Sequence, residues 1–365
     1  MRLLLVTQLA VLATALATLP AQAQGKKPAP VAKPVAKNSA PAAKKPAATT
    51  GTIVLGTTQL PGDFGKLATT YTIGTRNPIN FTLKSATYSV EPLTIGTRTW
   101  VPKVNEKLLV LRYTIHNPLP NEQPYDWAGI DFTAVDAKDV NHRFIQGIAR
   151  DGENEPLHVS LKPAQKLDVL SAVLVPADGV VPKLIVQRER DASVIRYDLR
   201  GQAGTLPALV ADATDTTGAT VRKEIAVPAG TFVPLGVFDA RLDSVAYTTE
   251  PILKREPGKG NRFMVATFTL KNRTTKAQSY YWGYFNADLR DADGEKVKYT
   301  QALLKGSRDE RAQGDLSPGE ETRVRLFFPV PENVAGKSLS LSEGKEVSLR
   351  DARVWAFDLT GTPAQ

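Results

Sequence analysis

Cysteine is absent from this 365-residue chain, and the chain has only three histidines and two methionines. Without cysteine there is no thiolate chemistry and no disulfide, so the folded parts depend on hydrophobic cores, which domains of about 150 residues can form. His116, His142 and His158 lack the i, i+2 or i, i+4 spacing of paired metal ligands. Zinc and copper sites need several convergent ligands, so we predict no metal and no cofactor.

Catalytic motifs are also missing. The chain contains neither the Gly-x-Ser-x-Gly motif of serine hydrolases nor a glycine-rich phosphate loop. Residues 291–295 have the composition of a calcium loop, but an EF-hand needs Gly at position six and Glu at position twelve. Gly294 is at position four and Ala302 at position twelve, so a hairpin turn explains the segment better. We therefore predict that the protein is not an enzyme.

The first 50 residues contain no acidic residue. Arg2, an apolar stretch at 3–19 and Ala-Gln-Ala at 21–23 make residues 1–23 resemble a secretory signal peptide. An uncleaved membrane anchor is the alternative, but the stretch includes polar residues and is shorter than the ~20 residues of a typical span. We predict cleavage, export to the periplasm or the extracellular side of the envelope, and no transmembrane segment in the mature protein.

Residues 24–50 are a Lys/Pro/Ala tract without aromatic residues. Such a tract cannot bury enough apolar surface to fold, and its prolines favour an extended spacer. The simplest interpretation is a disordered tether. The alternative is electrostatic contact with anionic polymers or lipid surfaces. Its cationic residues are Lys26, Lys27, Lys33, Lys37, Lys44 and Lys45.

The positive charge of the chain is concentrated in this N-terminal part. The whole chain carries a net charge of +9, and Arg2 and the six tail lysines supply seven of those charges. The remaining 39 basic and 37 acidic residues nearly cancel. A nucleic-acid-binding domain normally carries a basic patch of its own, so we expect no nucleic-acid partner for the folded part.

One stretch of the sequence occurs twice. Residues 107–176 align without a gap on residues 262–331, at an offset of 155. The period far exceeds the ~20–50 residues of solenoid repeats and indicates duplication of a whole domain. We predict one domain at 51–204 and another at 205–362, with residues 205–220 linking them. The matches include Asn117 with Asn272, Tyr125 with Tyr280, Trp127 with Trp282, Asp136 with Asp291 and Pro163 with Pro318.

Apolar residues alternate along each copy with the period of a β-strand. The predicted inward faces are Leu109, Leu111, Tyr113 and Ile115 in the first copy and Met264, Ala266, Phe268 and Leu270 in the second. The opposite faces, including Thr269, are expected at the surface. Further strands are predicted at 130–134 and 167–175 and at their equivalents, with turn signals between them. We therefore expect an all-β protein made of two β-sandwiches.

These motifs resemble a secreted immunoglobulin-like family of unknown function, related to a mycobacterial secreted immunogenic protein. The residues that carry the resemblance are 263–272, 289–294, 316–319 and 327–331. The first copy departs from the pattern, with Asp139 and Ala164 at the positions of Gly294 and Gly319. The resemblance implies the fold and assigns no catalytic residue.

Aromatic residues are the best candidates for a binding surface. They precede the second strand of each copy and comprise Tyr125, Trp127, Tyr280, Tyr281, Trp282 and Tyr284. Exposed aromatic rings can stack on sugars or dock a partner, whereas buried ones would only cover the end of the sandwich. We predict a non-enzymatic binding or scaffold protein of the envelope, with an envelope protein or polysaccharide as partner. The alternative is a small-molecule or carbohydrate-binding module that uses the surfaces around Trp127 and Trp282.

Overall fold

The structure is a computed structural model, and it describes residues 64–190, 194–297 and 302–360. The predicted signal peptide and the lysine-rich tether lie outside these ranges. The described residues form β-strands and two short 3-10 helices, Trp127–Gly129 and Trp282–Tyr284. In this part of the chain, no helix has the length and apolar composition that a membrane crossing requires.

The first sandwich contains thirteen strands in the described residues. They are β1 (Thr70–Ile73), β2 (Ile79–Ser89), β3 (Leu93–Ile95), β4 (Arg98–Trp100), β5 (Glu106–His116), β6 (Gln123–Tyr125), β7 (Asp131–Val135), β8 (Asn141–Arg143), β9 (Ala149–Arg150), β10 (Val159–Leu161), β11 (Lys166–Pro176), β12 (Lys183–Gln187) and β13 (Ile195–Asp198). A connecting segment, residues 199–224, leads to the second sandwich.

The second sandwich has the remaining described strands. They are β14 (Ile225–Val227), β15 (Val233–Pro234), β16 (Phe238–Thr248), β17 (Asn261–Asn272), β18 (Gln278–Tyr280), β19 (Phe285–Asp291), β20 (Lys296–Val297), β21 (Leu304–Lys305), β22 (Gly314–Leu316), β23 (Glu321–Pro331), β24 (Gly336–Glu343) and β25 (Trp355–Asp358).

Each sandwich is built from two larger sheets. In the first, the strand orders are β1-β2-β5-β11-β9 and β13-β12-β7-β8. In the second, they are β15-β16-β17-β23-β21 and β14-β25-β24-β19-β20. The orders correspond strand for strand except for β14, which pairs in parallel with β25. The prediction of an all-β fold is confirmed, and the strand order repeats along the chain as the sequence does.

The inward faces of the central strands are buried as the alternation predicted. In β5 and β17 every predicted inward side chain is at most 1% exposed. The Tyr113 ring lies 5.1 Å from that of Phe132, and the Phe268 ring lies 5.3 Å from that of Phe357. These ring pairs join the two sheets of each sandwich, because Phe132 lies in β7 and Phe357 in β25.

The outward faces are less exposed than predicted. Leu108 of β5 and Phe263 of β17 belong to separate small apolar clusters on the outer side of each central sheet. Thr269, expected at the surface, is only 3% exposed, so that prediction is wrong. Its Oγ1 donates to Asp243 Oδ2 at 2.6 Å. Asp243 reaches that position because β16 has an irregularity between Leu242 and Ser244.

The repeated asparagines hold equivalent loops. Asn117 and Asn272 are fully buried. The Asn117 Nδ2 group donates to the carbonyls of Asn121 and Leu161, at 2.8 and 2.9 Å. Asn272 Nδ2 makes the equivalent bonds, again at 2.8 and 2.9 Å, to the residues 155 positions further on. A buried amide with satisfied hydrogen bonds stabilises a loop, so this matched pair has a structural role.

Two turns keep the same backbone conformation with different residues. Gly294 and Gly319 have φ angles of 83° and 74°. Their equivalents in the first copy, Asp139 and Ala164, adopt φ angles of 59° and 60°. The left-handed region favours glycine because a Cβ crowds the neighbouring carbonyl. The first copy therefore keeps the turn geometry at a conformational cost.

Candidate functional site

Arg353, which lies just before β25, joins the two sandwiches. It is buried, and its Nη2 donates to the carbonyls of Lys103 and Glu106 at 2.9 and 2.6 Å. The Val104 N–H donates to the carbonyl of Asp351 at 2.7 Å. Burial lowers the pKa of Arg353 to about 10, so the guanidinium stays charged at neutral pH. The start of β5 is thereby fixed to the second sandwich.

Further contacts between the sandwiches lie around Arg273. Its Nη2 is 3.5 Å from Glu91 Oε2, across the boundary, and its Nη1 is 3.6 Å from Asp239 Oδ1. Burial raises the pKa of Asp239, and the Arg273 charge opposes that shift. Thr275 Oγ1 donates to the Gly96 carbonyl at 2.6 Å. The sandwiches are therefore joined at two separate places.

Lys107 anchors the connecting segment to the first sandwich. Its buried ammonium donates to the carbonyls of Ala177 (3.1 Å), Gly179 (2.6 Å) and Ala219, the last of which belongs to the connecting segment. It also lies 4.5 Å from the ring centroid of Tyr88. Burial lowers the pKa of Lys107 to about 8, and nearby carboxylates oppose this shift. Lys107 therefore has a structural role, because it fixes the connecting segment to the first sandwich.

In the second sandwich an arginine takes the position of this lysine and also lies against a tyrosine ring. Arg262 is equivalent to Lys107, lies 4.0 Å from the ring centroid of Tyr247, and donates from Nη2 to the Val334 carbonyl at 3.1 Å. Sequence reasoning missed this pair. A cation at the start of an apolar strand in both copies, with a tyrosine at equivalent positions of the preceding strand, was the signal that could have found it.

A cleft of about 380 Å³ lies between the two sandwiches and the connecting segment. The first sandwich lines it with Thr87, Tyr88, Ser89, Val90, Glu91, Val110 and Arg112. The connecting segment contributes Thr205, Pro207, Leu209 and Val210. The second sandwich contributes Phe232, Val233, Pro234 and Trp355. Clefts between domains are frequent ligand sites, so this is the main candidate site.

The predicted aromatic surface is not one continuous surface. Tyr125 is wrongly placed in it, because this residue is only 2% exposed and its hydroxyl lies 3.2 Å from that of Tyr113 in the core. Burial raises the pKa of Tyr125 above its usual range. Tyr280, Trp282 and Tyr284 are half-buried and pack against the core.

Two of the predicted aromatic residues are exposed. Trp127 is 46% exposed and Tyr281 is 45% exposed. Trp127 begins the first 3-10 helix, which Asp126 caps by accepting from Ala128 N at 2.9 Å. His158 Nδ1 lies 3.6 Å from Asp126 Oδ2, beside that helix. Each sandwich therefore presents one aromatic ring at the same corner, at adjacent positions of the repeat.

One charged position, buried in the second copy and half-buried in the first, has opposite sign in the two copies. Arg188 donates from Nε to the carbonyl of Asn77 at 2.6 Å, whereas Glu343, its equivalent, accepts from the N–H groups of Val237 and Phe238 at 3.2 and 3.1 Å. Pro78 stands at the position of Val237, and proline has no N–H to donate. Burial raises the pKa of Glu343 to about 7, although the two N–H groups favour the anion.

The histidines do not gather into a site. His142 Nε2 lies 2.9 Å from Asp136 Oδ2, while His116 Nδ1 lies 3.0 Å from Asn80 Nδ2. Burial lowers the pKa of His116. Across the residues that the structure describes, no group of three or more His, Asp or Glu side chains could hold a metal ion. The tail lysines, proposed for electrostatic contact, lie outside the described residues.

Comparison with known proteins gives a partial family match. A family model described as Domain of unknown function (DUF4352) matches residues 242–351, which lie within the second sandwich. The match covers less than a third of the chain and names a domain whose function is unknown. None of the curated proteins matches the sequence.

Several solved structures resemble part of the chain. An uncharacterized β-sandwich protein from Clostridium difficile 630 is 11% identical over 38% of this chain and 96% of its own, with a TM-score of 0.28. The yjhA protein from Bacillus subtilis is 18% identical over 36% of this chain and 98% of its own, with a TM-score of 0.25.

Proposed function

We propose that this is a non-enzymatic binding or scaffold protein of the cell envelope, exported and built from two immunoglobulin-like domains at 51–204 and 205–362. The observation that carries the proposal is the cleft between the sandwiches. One wall belongs to each sandwich, and Arg353 and Lys107 hold the surrounding segments by buried hydrogen bonds. A cleft formed in this way is pre-organised, which lowers the cost of ordering the protein when a ligand binds.

The buried and half-buried charged groups favour binding over catalysis. Lys107, Arg188 and Glu343 each have hydrogen bonds to backbone groups of their own sandwich or of the connecting segment. A general acid or base must instead reach the proton it transfers in a bound substrate. These groups therefore stabilise loops, and the cleft is left to recognise a ligand or partner by shape and polarity.

Export is proposed on the signal-peptide pattern, and the tether would then keep the sandwiches away from the membrane. Sequencing the N-terminus of the exported protein is the test, and Gln24 is the expected first residue. An intact Met1 in the mature protein would contradict export by a cleaved signal.

Crosslinking tests the cleft as the binding surface. We would place the photoreactive residue benzoylphenylalanine at Leu209, which lines the cleft, and irradiate cells that export the protein. The matched control carries it at Val140, which is 50% exposed in the first sandwich. The proposal predicts a defined adduct with an envelope protein, polysaccharide or small molecule from position 209 alone. Equal labelling from both positions, or none from 209, would contradict it.

Carbohydrate binding at the aromatic corners is the second candidate. The exposure of Trp127 and Tyr281, at 46% and 45%, favours it, since exposed rings can stack on sugars. Binding of the mature protein to purified envelope polysaccharide would be compared with that of Trp127→Ala and Tyr281→Ala. A loss of binding in these variants supports this candidate. Unchanged binding in both excludes the corners as the sugar site.

A further inference from the structure

The cleft between the sandwiches has the size and lining of a small-molecule site. Its volume of about 380 Å³ falls in the range of roughly 300–1,000 Å³ that such sites occupy. Eight of its fifteen lining residues are aliphatic, proline or phenylalanine, among them Val110, Leu209 and Phe232. An apolar lining gains most from an apolar ligand, because the hydrophobic gain scales with the apolar area removed from water.

The two charged residues in the lining already have partners. Glu91 lies 3.5 Å from Arg273 of the second sandwich, and Arg112 Nε donates to Asp151 Oδ1 at 3.1 Å. A charged ligand would have to lose its hydration in an apolar cleft while competing with these ion pairs. The cleft therefore favours a ligand without net charge.

The lining of the cleft also carries hydroxyl groups. Thr87 of the first sandwich and Thr205 of the connecting segment both belong to it. A hydroxyl can donate a hydrogen bond, so a ligand oxygen that accepts hydrogen bonds is a suitable complement. The indole Nε1 of Trp355 has no hydrogen-bond partner among the described residues, but this atom is buried and not open to the cleft.

We infer that the cleft binds a neutral, largely apolar small molecule that carries a hydrogen-bond acceptor such as a carbonyl or ester oxygen. This inference rests on the proposed binding function and names the class of ligand. The apolar lining supplies the affinity, and the hydroxyls of Thr87 and Thr205 orient the acceptor oxygen.

The probe for the test is 6-propionyl-2-dimethylaminonaphthalene, a neutral fluorescent ketone whose emission shifts to the blue in apolar surroundings. Titration of the mature protein should give saturable, blue-shifted emission with one site. Val110→Trp places a large ring in the cleft and should weaken binding at least tenfold. Val140→Trp, the same change at an exposed position of the first sandwich, should leave binding unchanged.

Two further measurements examine the polarity of the ligand. Thr87→Val removes the hydroxyl and keeps the shape of the side chain, so it should weaken ketone binding about 2- to 10-fold, the value of a neutral hydrogen bond. The anionic probe 8-anilinonaphthalene-1-sulfonate should bind more weakly than the ketone. Ser89→Trp replaces Val110→Trp if circular dichroism shows that the latter is unfolded. The inference is overturned if ketone binding does not saturate, or if the variant with tryptophan in the cleft binds the ketone as well as the wild type does. It is also overturned if the protein binds the anionic probe more tightly than the ketone.

The two proposals fail in different ways. If position 209 crosslinks to an envelope protein or polysaccharide while the ketone does not bind, the cleft remains the binding surface and only the ligand class is wrong. If position 209 yields no adduct and the ketone does not bind, both are wrong.

Discussion

At the scale of single residues, one pair of equivalent positions carries opposite charges that both bind backbone groups of a facing loop. Glu343 occupies the place of Arg188 because the facing loop of the second copy offers N–H groups, whereas Pro78 of the first offers none. The sequence shows the charge reversal, but not that Glu343 is buried and Arg188 half-buried. Burial depends on the loop that covers the strand end, and periodicity does not describe that loop.

The buried carboxyl of Glu343 predicts a pH-dependent stability. Its pKa is about 7 in the folded protein against an ordinary value of 4.5, so the folded state binds the extra proton between these pH values. This contribution is fully present below about pH 4.5 and is lost as the pH rises through 7, by about 3 kcal/mol. Urea unfolding from pH 4.5 to 8 should show a steeper decline in wild type than in Glu343→Gln.

The matched control for this prediction is Glu332→Gln, at an exposed position of the same sandwich. It should keep the wild-type decline in the free energy of unfolding. If Glu343→Gln keeps the wild-type decline in the free energy of unfolding as well, the Glu343 carboxyl does not titrate in this pH range.

The left-handed turn at Ala164 predicts a stabilising substitution. A non-glycine residue in this conformation costs about 1–2 kcal/mol, while glycine loses about 0.5–1 kcal/mol more chain entropy on folding. Ala164→Gly should therefore raise the free energy of unfolding by up to about 1 kcal/mol. Gly319→Ala, at the equivalent turn, should lower it, and a new Cβ there would meet no atom within 4 Å. Thermal unfolding of both variants tells whether the change in stability comes from the backbone conformation of the turn or from side-chain packing. A lower stability of Ala164→Gly would contradict the prediction.

At the scale of elements, the alternating pattern predicted the strands and their inward faces. The pattern did not predict the burial of the outward faces. A period of two tells which residues share a face of the sheet, but not which segments cover that face. Leu108 and Phe263 are buried on the outer side by segments that lie far away in sequence, such as those of Ile145 and Leu304. Thr269 is buried for a similar reason, under a carboxylate that the irregular β16 brings over it.

Truncation of two neighbouring residues of β17 tests this account of the strand. Phe268→Ala removes a buried ring and leaves a cavity, at a cost of about 3–5 kcal/mol. Thr269→Ala removes the hydroxyl that donates to Asp243 and should cost about 1–3 kcal/mol, above the half kcal/mol of an ordinary surface site. Urea unfolding of the mature protein measures both. A Thr269→Ala cost within half a kcal/mol would mean that this hydrogen bond contributes nothing.

At the scale of the whole molecule, the repeat indicated two similar sandwiches but not how they meet. The cleft is assembled from β2, β5, the connecting segment, β15 and β25, so no local pattern marks it. Arg353 has no cation at the equivalent position of the first copy, and its partners are backbone carbonyls about 250 residues away. Contacts between the two copies are not part of the repeat. Neither the periodicity nor the matched positions can therefore predict them.

The absence of cysteine allows a direct test of the central claim that the two sandwiches form one body around a cleft. The backbone atoms of Val104 and Asp351 are hydrogen-bonded at 2.7 Å, which keeps their Cα atoms within the roughly 4.4–6.8 Å span of a disulfide. The measurement is the thiol content of a Val104→Cys/Asp351→Cys variant after mild oxidation. Rapid intramolecular disulfide formation, with none in Val140→Cys/Asp351→Cys, is the predicted result. Two free thiols in the first variant would contradict the joined arrangement and the cleft that depends on it.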